Sequence, residues 1–95
     1  MALFVVKHQH SADTCPAGHP EMGPMLAQHV TNQNAQQFGL SLHGEAVVDG
    51  AHTLFLIVDG DREQIDRFMA PFTQVGSVEV MPSSRCEQVV ARARC

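Results

Sequence analysis

Hydrophobic and polar positions divide the chain into short strands and amphipathic helices. The apolar runs at residues 2–8 and 52–59 are rich in Phe, Val, Leu and Ile, which is typical of β-strands. Residues 40–49 alternate between apolar and polar side chains, which predicts a half-buried strand with Leu40, Leu42, Ala46 and Val48 on its inner face. Residues 76–82 predict a fourth strand.

Helical periodicity fills the segments between these strands. Residues 21–39 predict one helix that ends at Gly39, a residue that commonly terminates helices. Residues 61–72 predict a second helix with four apolar residues at i, i+3, i+4 and i+7: Ile65, Phe68, Met69 and Phe72. Residues 87–94 predict a short C-terminal helix.

The resulting order, βαββαβ, is that of the ferredoxin-like fold, an α+β architecture. Its four-stranded antiparallel sheet has the order 4-1-3-2, with two helices on one face. The first and third strands are apolar on both faces, as central strands should be, whereas the second and fourth each carry a polar face. We therefore expect one ferredoxin-like domain over residues 1–95, with the short C-terminal helix added to it.

The helices of such a fold leave the second face of the sheet uncovered. Apolar residues at the centre of that face would form an exposed patch of a size that soluble monomers rarely show. Face-to-face packing of two copies would cover it, so we expect a homodimer. The competing arrangement is a monomer whose C-terminal helix folds over the open face.

The strand and helix order, the length and the ending "PFTQVGSVEVMP" resemble the small proteins of the dimeric α+β-barrel superfamily. That superfamily includes cofactor-free monooxygenases, lactone isomerases and small bacterial metal-binding proteins, one group of which binds nickel. The resemblance covers most of the chain and implies the fold and a dimer. It assigns no individual functional residue.

Composition narrows the classes of partner and the cellular compartment. The formal net charge is −4 and only six residues are Lys or Arg, so nucleic acid is not expected as a partner. The longest apolar run, "TLFLIV", is too short to span a bilayer, and no secretory signal precedes the first strand. We therefore expect a cytoplasmic protein without a membrane partner, whose three cysteines are thiols or metal ligands.

The segment "KHQHSADTCPAGHPEM" concentrates metal-binding side chains directly after the first strand. His8 and His10 lie two residues apart, so a strand directs both imidazoles to the same side. Cys15 follows in a loop that can fold back to add a thiolate, and His19 could complete a set of four ligands. Mixed nitrogen and sulfur ligands suit Zn, Cu or Ni, although this spacing is not that of a known zinc finger.

The predicted topology adds a ligand from a distant part of the chain. The third strand runs antiparallel to the first, so its start, at His52, should lie beside the end of the first strand. His43 should lie toward the opposite end of the sheet. His29 falls on the apolar face of the first helix, where a hydrogen-bonded core histidine is expected. The predicted metal ligands are thus His8, His10, Cys15, His19 and His52.

Two functions fit these residues. The first is a small metal-binding protein that uses the His/Cys site for sequestration, sensing or delivery of Zn, Cu or Ni. The alternative is a dimeric α+β-barrel enzyme, monooxygenase- or isomerase-like, acting on a small organic substrate with histidine as general base. Such an enzyme could also depend on metal, since three protein ligands with one open position suit zinc catalysis. A purely structural zinc is a further possibility.

Overall fold

The structure, a computed structural model, describes residues 2–95 as an α+β fold. Four strands form one antiparallel sheet: β1 Leu3–Gln9, β2 Ser41–Val48, β3 Thr53–Asp59 and β4 Ser77–Ser83. Four α-helices accompany the sheet: α1 Met22–His29, α2 Asn32–Gln37, α3 Arg62–Thr73 and α4 Cys86–Ala91. Two short 3-10 turns, Ala12–Thr14 and Pro16–Gly18, lie between β1 and α1.

The sheet order is β2-β3-β1-β4, which is the predicted order read from the other edge. In the register, Val6 of β1 pairs with Leu56 of β3 on one side and with Val80 of β4 on the other. The central position of β1 and β3 explains why these two strands are apolar, because each has a neighbouring strand on both edges and helices over one face. The predicted antiparallel sheet is therefore confirmed, and its strand order fits the ferredoxin-like arrangement in general.

A β-bulge in β2 corrects the face pattern predicted for that strand. The register against β3 shifts between Leu42 and Gly44, so one extra residue is inserted there. Beyond the bulge, Glu45 and Val47 lie opposite Leu56 and Leu54, which are buried under the helices. The inward positions predicted for Ala46 and Val48 are thus wrong, because each inserted residue moves all later side chains to the other face.

The single helix predicted over residues 21–39 is wrong, because the structure has two helices, α1 and α2, in that segment. Thr31 has an extended backbone (φ −135°, ψ 153°), and its hydroxyl accepts a hydrogen bond from the Asn34 N–H at 3.1 Å. The Asn34 side-chain amide donates to the His29 carbonyl at 2.9 Å. Side chains of this type compete with helical hydrogen bonds, so Thr31 caps a new helix instead of continuing the first.

The predicted apolar face of the third helix is confirmed. Ile65, Phe68, Met69 and Phe72 of α3 are all buried against the sheet.

The last helix, α4, is shorter than predicted, and none of its residues is buried; Val90 is 71% exposed. It therefore does not cover the open face of the sheet within one chain. No helix among residues 2–95 is both long and apolar enough to cross a membrane.

Candidate metal centre

Three of the predicted ligands converge at one end of the sheet. One ring nitrogen each of His10 and His52 and the sulfur of Cys15 all lie within 4.8 Å of one another. Three atoms at that spacing lie within about 2.8 Å of a common point, and zinc bonds are about 2.0–2.1 Å to nitrogen and 2.3 Å to sulfur. Movements of less than about 1 Å would therefore bring all three groups to bonding distance of one ion.

The pairing of β1 with β3 places the two histidines together. Gln9 pairs with Thr53, and one step further the His10 N–H donates to the His52 carbonyl at 3.1 Å. The two imidazole centroids are 5.2 Å apart. The sequence expectation that the end of β1 meets the start of β3 is thus confirmed, and the antiparallel ladder is its cause.

The turn between β2 and β3 fixes the backbone of His52 in an unusual conformation. Four residues, 49–52, connect the strands, and β3 begins at Thr53, one residue later than predicted. Gly50 has φ +73° and His52 has φ +50°, both in the left-handed region. Histidine is among the non-glycine residues enriched there, and such conformations concentrate at functional sites. The turn therefore orients His52 toward His10 at a modest conformational cost.

Cys15 reaches the site from the loop that follows β1. It stands between the two 3-10 turns and is half-buried. The second turn packs closely on α1 at Gly23, where an added Cβ would lie 3.0 Å from the carbonyl oxygens of both Pro16 and Ala17. Only glycine admits this approach without a shift of the loop, so Gly23 helps to determine where the Cys15 thiol lies.

His8 stands directly behind His10. His8 is 2% exposed, and its ring packs edge-on against Phe72 with centroids 4.9 Å apart. Its Nε2 lies 3.2 Å from Nδ1 of His10, a hydrogen-bonding distance. The other two ring nitrogens, His8 Nδ1 and His10 Nε2, are buried and make no hydrogen bond of acceptable geometry. Buried polar atoms normally have a partner, so the two nitrogens require an explanation.

The hydrogen bond between His8 and His10 is compatible with coordination of an ion by His10. A histidine that coordinates through Nε2 carries its proton on Nδ1 and usually donates it to an acceptor behind. His10 would then coordinate through its unpartnered Nε2, while its Nδ1–H donates to Nε2 of His8. His8 in turn must be neutral, with its own proton on Nδ1.

Both rings are held toward the neutral form that metal binding requires. Burial lowers the pKa of His8 below its ordinary value, and the neighbouring His10 lowers this pKa further. An interaction with the backbone of Ser77 raises this pKa by a smaller amount. Burial likewise lowers the pKa of His10, with an added contribution from His52. A neutral imidazole can coordinate or accept a hydrogen bond, whereas an imidazolium can do neither.

The remaining histidines have other partners. Nδ1 of His19 accepts hydrogen bonds from the N–H groups of Glu21 and Met22 at 3.1 and 3.0 Å, so this ring caps the start of α1. The ligand role predicted for His19 would require that cap to open, because a neutral ring with Nδ1 as acceptor has its proton on Nε2. His19 and His8 both lie outside the group of three.

Two histidines occupy sites away from the convergent group. His29 stacks on Phe68, donates from Nε2 to the Phe68 carbonyl and accepts from the Asn34 amide, as expected of a satisfied core histidine. His43 lies at the opposite end of the sheet, as predicted, with Nε2 2.5 Å from Oδ2 of Asp59. This pair was not predicted, because the bulge that brings His43 to Asp59 has only Gly44 as its sequence signal.

A cavity of about 430 Å³ adjoins the three convergent side chains. His8, His10, Cys15 and His52 form part of its wall, and most of the rest is apolar. Glu45 and Val47 also form part of the wall, and their contributions were not predicted because the faces of these residues depend on the bulge. The arrangement thus combines a nitrogen- and sulfur-rich corner with an apolar space.

Comparisons with known proteins assign no family to the chain: no family model matches it, and none of the curated proteins is significantly similar in sequence. The resemblance to dimeric α+β-barrel proteins therefore stays a prediction. Function has to be argued from the geometry of the site.

Proposed function

We propose that this protein binds one transition-metal ion, Zn, Cu or Ni, and serves in its sequestration, sensing or delivery. The observation that carries the proposal is the convergence of His10, Cys15 and His52 within 4.8 Å. These residues come from a strand end, a loop and a hairpin turn, so only the tertiary fold brings them together. Two imidazoles and one thiolate form a ligand set suited to these ions.

The unpartnered Nε2 of His10 supports the proposal independently. A buried nitrogen without a hydrogen bond is unfavourable by about 1–3 kcal/mol, and coordination of an ion would remove that cost. In this arrangement His8 is not a ligand. It accepts the Nδ1–H of His10 and so holds that ring in the tautomer that presents Nε2 to the ion.

Elemental analysis of protein purified without an affinity tag tests the proposal. We expect close to one metal ion per chain, and we expect His10→Ala, Cys15→Ser and His52→Ala each to weaken binding by more than about 100-fold, beyond the usual cost of altering a group behind a ligand. His43→Ala is the matched control, since it removes an imidazole at the other end of the sheet. Metal-free protein that also fails to take up Zn, Cu or Ni in titrations would refute the proposal.

The alternative function is a metal-dependent enzyme that acts on a small organic molecule. The apolar cavity beside the three ligands is the observation that favours it. The possible roles differ in how fast the ion exchanges. A protein that senses or delivers metal should lose the ion to an added chelator within minutes, whereas a sequestered ion or a catalytic or structural zinc should remain bound much longer. The rate of metal loss to a chromogenic chelator therefore distinguishes sensing and delivery from the other roles.

We also propose a homodimer formed through the open face of the sheet. The apolar residues on that face are Leu3, Val5, Phe55, Ile57 and Met81. Ile57 is 42% exposed, and α4 does not cover it within the chain. Lys7 and Glu79 lie opposite each other on the same face and could pair across a two-fold axis. Sedimentation should give a dimer for the natural protein and a monomer for Ile57→Asp.

A further inference from the structure

We propose that the metal-filled site binds a small organic molecule whose uncharged nitrogen donor completes the coordination of the ion and whose apolar body occupies the adjoining cavity. The inference rests on the proposed metal site and adds the chemical class of its ligand. Two structural features carry it: the number of protein ligands and the nature of the cavity wall.

The protein supplies three ligands to the ion. Zinc with four protein ligands is typically structural, whereas three protein ligands leave a position for water or another molecule. His10, Cys15 and His52 all form part of the wall of one cavity, so an added ligand has that space beside it. His8 does not complete the set, because its Nε2 is engaged by His10.

The cavity is large enough for a small molecule and is apolar where it leaves the ligands. Its volume of about 430 Å³ falls in the range of small-molecule sites, which is roughly 300–1,000 Å³. Apolar parts of the wall come from α1 and the residue that follows it, from the sheet and from α3: Leu26, Ala27, Val30, Val47, Leu54 and Phe72. An apolar space beside a single polar corner favours a molecule with one donor group and a hydrocarbon body.

The charged residues in the cavity wall limit which donor group the bound molecule can carry. Glu45 and Asp49 are the charged residues in the cavity wall, and no Lys or Arg lines it. For a divalent ion, the Cys15 thiolate and these two carboxylates together outweigh the charge of the ion by one, so a carboxylate or phosphate ligand would add negative charge to a site that is already negative. An uncharged nitrogen heterocycle adds no charge, so we assign the site to donors of this kind.

Cobalt(II) provides a spectroscopic test with the metal alone as the first step. A thiolate-to-cobalt charge-transfer band on loading tag-free protein reports that the Cys15 site is filled. Imidazole and 4-phenylimidazole are then titrated, and the d–d bands report a change in the coordination of cobalt. Burial of the phenyl ring should make 4-phenylimidazole bind about 10- to 100-fold more tightly than imidazole.

Matched variants locate the phenyl group. Ala27 and Gln28 are exposed neighbours on α1, and only Ala27 lines the cavity. Ala27→Phe should fill the space and reduce the preference for 4-phenylimidazole to less than about threefold, while Gln28→Phe leaves it unchanged. Val47→Asn, in the part of the wall that β2 supplies, should also weaken the preference, and Ile57→Asn on the other sheet face should not.

The outcomes separate the two proposals. A charge-transfer band together with equal affinities for the two imidazoles would overturn the ligand inference and leave the metal site in place. Equal loss of preference in Ala27→Phe and Gln28→Phe would also overturn it. Absence of the band in the natural protein would refute the metal site itself, and the ligand inference with it.

Discussion

Replacing His8 by Leu should separate metal affinity from fold stability. His8 is 2% exposed and packs on Phe72, and Leu has nearly the same volume, so the core should accept the change. The substitution removes the acceptor for Nδ1–H of His10, which lies 3.2 Å away. The tautomer and orientation of His10 are then no longer held by a partner.

Metal affinity and fold stability should respond to this substitution by different amounts. Loss of a group that orients a metal-bound histidine typically weakens metal affinity about 10- to 100-fold. For the metal-free fold, the variant leaves the Nδ1–H of His10 without its acceptor, which is unfavourable by about 1–3 kcal/mol for a buried group, and it removes the unpartnered Nδ1 of His8, which is unfavourable by a similar amount. The two contributions nearly cancel, so we expect a free energy of unfolding within about 1 kcal/mol of that of the natural protein.

Two measurements test this prediction. Competition with a chelator of known affinity gives the metal dissociation constant, and urea unfolding in the presence of excess chelator gives the stability of the metal-free chain. His8→Gln is the control, because its side-chain oxygen can accept the same hydrogen bond and should restore part of the affinity. Unchanged metal affinity in His8→Leu would refute the role assigned to His8. A loss of affinity accompanied by general destabilisation would refute it as well.

Gly23→Ala should weaken metal binding, because the new Cβ displaces the loop carrying Cys15; Gly18→Ala, where a Cβ meets nothing within 4 Å, should not, and chelator competition compares them. The metal-free fold should lose stability as pH falls through about 6.5, because the pKa values of His8 and His10 are lowered in the folded chain and the unfolded chain therefore binds more protons. Urea unfolding at several pH values measures this. A free energy of unfolding that is constant or rises as pH falls would contradict the prediction. Thr31→Ala should reduce the free energy of unfolding by about 0.5–2 kcal/mol through loss of the α2 cap, while Thr73→Ala, whose hydroxyl bonds only the Ala70 carbonyl, should cost less in the same assay.

Periodicity predicted those elements whose sequence has one consistent reading. The spacing of Ile65, Phe68, Met69 and Phe72 is compatible only with a helix that buries one face, and α3 does so. The prediction of a single first helix was wrong because the apolar pattern continues past Thr31. The side chains of Thr31 and Asn34 form hydrogen bonds with the backbone there, and these end the helix. Periodicity records which residues are apolar and does not register such local competition.

The sequence was enough to predict which residues lie near the candidate site, but not which of them are ligands and which orient or cap a neighbour. The order of strands was enough to bring His52 to the end of β1, and the structure confirms that placement. Spacing could not distinguish a ligand from the residue that orients it, since His8 and His10 share one face of β1. Nor could it show that His19 caps α1, which depends on how the loop meets the helix.

The order of residues along the chain was enough to predict the four strands, the buried face of α3 and the concentration of imidazoles and a thiol after β1. These features follow from side-chain polarity at fixed intervals, which each short segment carries alone. The folded chain adds that the ligand atoms of His10, Cys15 and His52 lie within 4.8 Å of one another, that His8 lies next to His10 on the side of Phe72 and that an apolar cavity adjoins the group. Those relations depend on a bulge in β2, a left-handed residue in a turn and the close approach of a loop to Gly23. Where such features direct a side chain depends on contacts between distant segments, which the polarity of one segment does not record.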